Sequence, residues 1–567
     1  MYIVFLGGAG KMEFNRFRGS YAFGFLAILA LVPLIGCASQ TGQLADAMPD
    51  RPASDGPVAP YAEPVTMTVW AGMNDVMRFA SGESIDDNLH TRFMKSFLNL
   101  DFQNKWVADG GKIAEKIDLD ISSNDLPDAV QVNVEQLSRL IKNGQLEDLT
   151  PVWNRYALPG LKENMGYQDR IAFTPAMKSG RIYGIPLPSD MGNSVALMYI
   201  RKDWLLALHR EVPRTTAELD ELVHAFALQD PDRNGKKDTW GVAFEQAAES
   251  GSGGLPGGMT TDALAAGFGA YPELWLNAPD GQLAYGSIDD RMIPVLSMLK
   301  DWYDSGAIDP EFAFKDLNRV SKDIADGRIG IVFGPFHYPL WPLKDTVKNN
   351  PNADWIVAPI PTADGKPAVP KALPFTGSWV VVRSGYEHPE ALIKALNVTY
   401  MMQADMGEPG KFWSEAGMGI YKDLSAHLYM KPYLFDSPFR NMQSGKEIQA
   451  ALRTGDEAKL ASSAARSIYA NLIQSKDKLE AWTFRKIFDE SERVLSDYPK
   501  LQYSAFFDAP TPEMLAKGEA LARLEREQML QIIMGEPVDR FRQFRESWLQ
   551  LGGAAITREV NAWRQSQ

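Results

Sequence analysis

The sharpest cation-binding motif in the chain is Asp230-Pro231-Asp232-Arg233-Asn234-Gly235-Lys236-Lys237-Asp238. Oxygen-bearing side chains fall at positions 1, 3, 5 and 9 and a glycine at position 6, the spacing of a calcium-binding EF-hand loop. A hard cation wants six to eight oxygens, and alternate residues of a tight loop can aim theirs inward while the glycine permits the turn. Lys236, at position 7, would offer its backbone carbonyl and point its charge away. Asp230, Asp232, Asn234, Lys236 and Asp238 are therefore the expected ligands of a structural calcium ion. Gly241 stands at position 12, where an EF-hand has a bidentate glutamate, and Thr239 at position 10 supplies a hydroxyl at best. The shell is weak unless a distant carboxylate completes it. Thr239 to Phe244 reads as a strand, so the loop joins a helix to a strand. The competing reading is an Asx-rich surface turn.

The second chemically distinctive residue is Cys37, the only cysteine among 567 residues. It ends Leu34-Ile35-Gly36-Cys37, after the apolar run Phe23 to Ile35 and the basic residues Lys11, Arg16 and Arg18. Charged start, short apolar stretch and small residue describe a secretory signal. The run is shorter than the ~20 residues a membrane-spanning helix needs. Leu-Ile-Gly-Cys resembles the bacterial lipoprotein processing site, where cleavage exposes a thiol that is diacylated. That resemblance implies a lipid on Cys37 and a protein held outside the cytoplasm on the bacterial cell membrane. Ala38 leaves no aspartate at the position associated with inner-membrane retention. Met12 is an alternative start. Residues 1–36 are then a signal peptide and 37–64 a tether, with Pro49, Pro52, Pro57, Pro60 and Pro64 among small polar residues.

The composition narrows the function classes. A single cysteine allows neither a disulfide framework nor a thiolate zinc site. A net charge of −14 argues against nucleic acid, which requires clustered Lys and Arg. The six histidines show no HxH or HxxxH spacing, and HExxH, G-x-S-x-G and G-x-x-x-x-G-K-[ST] are all missing. A glycoside hydrolase would need two carboxylates across a cleft, a pair that 72 acids cannot exclude by count alone. Fourteen Trp, 19 Tyr and 27 Phe supply a core and, on a cleft wall, the flat surfaces on which sugars stack.

The elements that would position these groups alternate between strand and helix. Strands are expected at Val65–Trp70, Asp128–Val132, Ala196–Ile200, Ile329–Phe333 and Trp379–Val382, and helices at Phe93–Phe102 and Val134–Asn143. Thr215-Thr216-Ala217-Glu218 opens a helix as a capping box, with Leu219, Leu222, Val223 and Phe226 on one face. After Pro389 the chain reads as mostly helical. This pattern predicts an α/β fold with a parallel sheet.

Several segments, in this order, resemble extracellular solute-binding protein family 1, especially its long lipoprotein branch with the LplA-type and alginate-oligosaccharide-binding proteins. They are Asp125-Leu126-Pro127-Asp128, Gly144 to Thr150, Ile182 to Pro186, Tyr199 to Leu205, the acidic loop leading into Thr239-Trp240-Gly241, Trp302 to Pro310, and Leu551 to Asn561. The resemblance implies a type II periplasmic-binding-protein-like fold: two α/β lobes around a cleft, with a helical C-terminal region. It implies a monomeric lipid-anchored receptor that captures a solute, often an oligosaccharide, and passes it to the permease subunits of an ABC importer. It also implies calcium in the acidic loop. One lobe would be 65–187 with 358–402 and the other 188–357 with 403–567, hinged near Pro186-Leu187-Pro188 and Ala358-Pro359-Ile360-Pro361. A solute sensor without import and a secreted glycan-degrading enzyme are the alternatives.

Ligands of open α/β sheets bind beyond the carboxyl ends of strands. The candidate contacts are therefore Trp70, Asn74 and Asp75 after the first strand, Asp190 and Asn193 after the first hinge, Phe336, Tyr338 and Trp341 after the Gly334-Pro335 turn, and Trp379 at the second return. Trp413, in a polar glycine-containing stretch, is a further candidate. The bland alternative for each aromatic is core packing, and for Asp190 and Asn193 ordinary turn chemistry.

Overall fold

The structure, a computed structural model, describes residues 55–566 apart from 74–76, 167–170, 247–253, 374–375, 415–436 and 439. Cys37, the signal, most of the tether, and Asn74 and Asp75 lie outside the described residues.

In the first lobe, strand Val65–Met73 runs parallel to Leu100–Asp109. Val65, Met67 and Val69 point inward, the period-two pattern that the sequence shows. The helix between them spans Leu89–Leu98, which corrects the expected Phe93–Phe102. Asn88 caps its start, and Asn99 ends it in the left-handed region, φ 56°, with its N–H on the Lys95 carbonyl. Leu100 and Phe102 are then buried strand residues. Asp128 ties the lobe together: Thr68 N and Oγ1 both donate to its Oδ2 at 2.7 Å, and Arg383 Nε donates to Oδ1 at 2.8 Å. Next to it, Thr376–Val382 lies between Ala129–Val132 and Ile185–Pro188, antiparallel to both.

The second lobe holds a four-stranded sheet in the order Trp355–Ala358, Leu197–Arg201, Ile329–Gly334, Trp240–Val242. Leu197–Arg201 is antiparallel to both of its neighbours, and Ile329–Gly334 is parallel to Trp240–Val242. The sheets are thus mixed, where alternation of strand and helix suggested parallel ones. The cause is connectivity. Thr376–Val382 and Leu197–Arg201 each begin where the chain enters a lobe from the other, so each runs against the strands that end at that seam.

Helix Thr216–Leu228 forms as expected. Glu218 N donates to Thr215 Oγ1 at 3.2 Å and Thr215 N to Glu218 Oε2 at 3.1 Å, and Leu219, Leu222, Val223 and Phe226 are buried. Beyond Pro389 the named elements are helical, among them Glu390–Gln403, Arg440–Thr454 and Pro512–Ile533.

The cores show which lobe owns each segment. Buried residues from Val65 to Leu187 and from Trp379 to Met402 pack together. Ala358, Ile360 and Ala368 pack instead with Met198, Ile200 and Leu219, and Ala372 packs with Val195, Leu197 and Tyr199. Residues 358–372, expected with the first lobe, therefore pack with the second, and the chain returns to the first lobe beyond Leu373. Buried Lys371 holds this segment down through Asp262 at 2.9 Å and Glu273 at 2.8 Å. Conversely Phe412 and Trp413, expected with the second lobe, pack on the first core.

The Tyr199–Leu205 segment carries a structural ion pair. Arg201, 2% exposed, donates through Nε and Nη2 to both oxygens of Asp203, at 2.9 and 2.6 Å, under the Trp204 ring. Asp203→Ala strands this guanidinium in the interior. It should cost about 3 kcal/mol, read as a lower urea midpoint at an unchanged m value.

Candidate functional site in the seam between the lobes

The chain passages between the lobes run side by side. Leu373 N donates to Ser194 Oγ at 3.1 Å, and Thr376 Oγ1 to the Leu187 carbonyl at 3.1 Å. Met191 N donates to the Pro438 carbonyl at 3.2 Å, which brings the third passage alongside. The carboxyl ends of Val65–Met73, Ala129–Val132 and Ile185–Pro188 face this seam from one lobe. Those of Ile329–Gly334 and Trp355–Ala358 face it from the other. That is the position in which an open α/β sheet holds a ligand.

The candidate residues divide by burial. Phe336 is 0% and Trp379 1% exposed. Trp379 Nε1 donates to the Ala172 carbonyl at 2.8 Å, and its ring centroid lies 6.0 Å from that of Phe507. Both are packing residues of the interior in this conformation, a correction to their reading as cleft walls. Trp70 is buried too, stacked on Trp106 with centroids 5.6 Å apart and planes 5° apart. Asp190 is 5% exposed and serves the backbone: Oδ1 accepts from Gly192 N at 2.9 Å and Oδ2 from Asn441 N at 3.3 Å. Sequence spacing cannot separate these from surface residues, because the two faces of a strand end differ only once the lobes are packed.

Asn193, Tyr338, Trp341 and Trp413 keep accessible surface. Tyr338 stacks near Tyr199, at 6.3 Å and 23°, and a Cβ on Gly334 would lie 2.1 Å from its ring, so only glycine fits there. Trp341 is 39% exposed, with extended backbone inside a helical stretch. It is the most open of the candidate aromatics described.

Two further polar groups stand at this edge of the second lobe. Glu245, past the carboxyl end of Trp240–Val242, is pushed up to about 7 by burial and then by the charge of Asp316. It and Tyr338 line a 20 Å³ cavity, about the size of one water. Burial lowers His337 to about 4, so the imidazole is neutral at ordinary pH. The strand-end rule that selected the other candidates would have reached Glu245 had it been applied to this three-residue strand.

The acidic loop lies at the amino end of Trp240–Val242, the edge turned away from the seam. Its oxygens converge on Asn234: Asn234 N donates to Asp230 Oδ1 at 3.1 Å, and Nδ2 to Asp232 Oδ2 at 2.7 Å and Asp238 Oδ1 at 3.1 Å. Asp230, Arg233 and Gly235 take the positive φ values that such a coil requires. Burial raises the Asp232 carboxyl, helped by its hydrogen bond to Asp230 and the charges of Asp238 and Asp230. A divalent cation would relieve that repulsion, so the donor set fits one. Thr239 does not take part, since its hydroxyl turns inward to the Phe226 carbonyl at 2.9 Å. At position 12, a Cβ on Gly241 would stand 2.2 Å from the Val223 carbonyl oxygen. The EF-hand glutamate is excluded there by helix packing. Gly241→Glu should therefore destabilise the protein by more than about 3 kcal/mol, seen as a large fall in Tm that added calcium does not restore. Tighter calcium binding with an unchanged Tm would overturn this packing argument.

Comparison with known proteins agrees with this geometry. The family described as bacterial extracellular solute-binding protein matches residues 79–401, more than half of the chain. Lipoprotein LipO of Bacillus subtilis is 25% identical over 258 residues, 44% of this chain and 46% of LipO. The fructooligosaccharide ABC transporter substrate-binding protein FusA of Streptococcus pneumoniae is 24% identical over 331 residues, 56% of this chain and 59% of FusA. The chain spans about half the length of these curated relatives. Among solved structures, an extracellular solute-binding protein from Bifidobacterium longum subsp. infantis aligns with a TM-score of 0.58 at 17% identity, covering 89% of this chain and 99% of that one. The FusA EF-hand mutant in complex with fructo-nystose aligns at 0.54 and 17%, covering 88% and 100%. These likenesses show the two-lobed fold, and the family match shows that the chain belongs to the bacterial extracellular solute-binding proteins.

Proposed function

We propose that this protein captures an oligosaccharide between its lobes and presents it to the permease subunits of an ABC importer. It does so as a monomer held on the outer side of a bacterial membrane by a lipid on Cys37. The observation that carries the reading is the seam. Side-by-side chain crossings form its floor, strand carboxyl ends face it from both lobes, and Trp341 stands 39% exposed on the loop after Ile329–Gly334. Exposed aromatic surface beside neutral hydroxyl and imidazole groups suits a ring with one apolar face and many hydroxyls. Relatives named for fructooligosaccharide and for polygalacturonan/rhamnogalacturonan binding support that ligand class. The crossings let two rigid lobes close on the solute by rotation about a few residues. Tyr338, Asn193 and Trp413 would line the site with Trp341, and Asn74 and Asp75 would follow the strand end of the first lobe.

Calcium belongs to the same proposal, held by the carboxylates of Asp230, Asp232 and Asp238, the Asn234 amide oxygen and the Lys236 carbonyl. Its role there is to order the turn between helix Thr216–Leu228 and strand Trp240–Val242. The loop lies away from the seam, so the ion acts on stability rather than on the solute.

Titration calorimetry against neutral and uronic-acid oligosaccharides, with product analysis, tests the function. The expected result is one site with no conversion of the sugar; conversion would sink the reading. Trp341→Ala should weaken binding by about 2 kcal/mol, roughly thirty-fold, with Tm unchanged, whereas Trp379→Ala should lower Tm. Chelation should lower the Tm of the wild type but not of Asp230→Asn. A saturating ion at one hundred times its Kd is worth about 2.7 kcal/mol.

A further inference from the structure

The first crossing, residues 190–194, rests on two helices of the second lobe. Asp190 accepts the N–H of Asn441 at the start of helix Arg440–Thr454 at 3.3 Å. A Cβ on Gly192 would lie 2.8 Å from Leu495 Cδ2, so the crossing lies directly on helix Glu492–Asp497. Glu492 stands three residues before Leu495, on the same helical face. Helix Arg440–Thr454 closes its other side, since a Cβ on Gly445 would lie 2.7 Å from Glu492 Cβ. Glu492 is 0% exposed, and among the described residues neither of its carboxyl oxygens has a hydrogen-bond partner.

An ionised carboxylate in such a place has lost its water and gained nothing in return. Among the described residues, the charged and titratable groups that face it are few. From the crossing comes Asp190, which repels a second negative charge. From helix Arg440–Thr454 comes Lys446, which attracts one. From strand Leu197–Arg201 comes Tyr199, whose hydroxyl is engaged by the Pro335 carbonyl at 2.8 Å and Ser491 Oγ at 3.2 Å. Burial, then the charge of Asp190, push the Glu492 carboxyl well above the usual carboxylate range, against the pull of Lys446.

We propose that Glu492 is buried in its protonated form beneath the first crossing, and that its ionisation loosens the seat of residues 190–194 on the second lobe. Gain or loss of that proton then changes how firmly residues 190–194 are held, which makes the joint between the lobes sensitive to pH. This holds whatever solute the protein takes.

The sign follows from linkage. A carboxyl raised on folding stabilises the fold fully below its unfolded value of about 4.3. That stability is lost as pH rises towards the folded value. Tm profiles from pH 5 to pH 9 should therefore diverge, with Glu492→Gln matching the wild type at low pH and melting higher at pH 9. Amide exchange at Gly192 should speed up with pH in the wild type beyond its intrinsic rate, and do so less in the variant. Difference infrared spectra at pH 8 should show a protonated-carboxyl band that Glu492→Gln removes. Parallel Tm profiles, or no such band in the wild type, would overturn the proposal. If Glu492→Gln fails to fold, the wild-type band decides alone.

Discussion

The rest of the structure hangs on the requirement that one chain cross between two lobes and come back. The crossings lie side by side, joined through Ser194 and Thr376. Strand direction follows from this. Leu197–Arg201 and Thr376–Val382 start at the seam, so both lobes contain an antiparallel strand among strands that run toward it. The seam also gathers strand carboxyl ends from both lobes, which is why the proposed ligand site lies there and the acidic loop falls at the opposite edge.

The segments that carry the family resemblance prove to be largely structural. Asp128 joins Thr68 to Arg383, and Arg201 with Asp203 and Trp204 forms an interior ion pair. Gly241 gives helix Thr216–Leu228 its close approach to the sheet. Each solves a local problem that admits few residue types: a buried polar group needing partners, or a backbone approach that no side chain permits. Such solutions recur in sequence. A solute-facing surface has no comparable constraint and leaves a fainter trace.

Buried charge clusters at the segments that change lobe. Lys371 pins the second crossing's approach through Asp262 and Glu273, and Asp190 ties the first to Asn441. Removing one partner from such a group is costly, so these segments are held in register although both adjoin a joint.

By itself the sequence determined the features whose cause is local. The capping box at Thr215, the inward face of helix Thr216–Leu228, the inward alternation of Val65, Met67 and Val69, and the coil of the acidic loop all follow from spacing of 3.6, 2 or turn chemistry. It misplaced the end of the first helix, because Asn99 in the left-handed region is only one of the conformations that residue allows. Only the tertiary structure decided which aromatic residues are core and which stay exposed. Phe336 and Trp341 share one loop, yet one is 0% and the other 39% exposed. It also decided where the second crossing falls, that Gly241 cannot yield to a glutamate, and that Glu492 is enclosed. These depend on elements hundreds of residues apart in sequence coming into contact, and no local pattern encodes the distance between them.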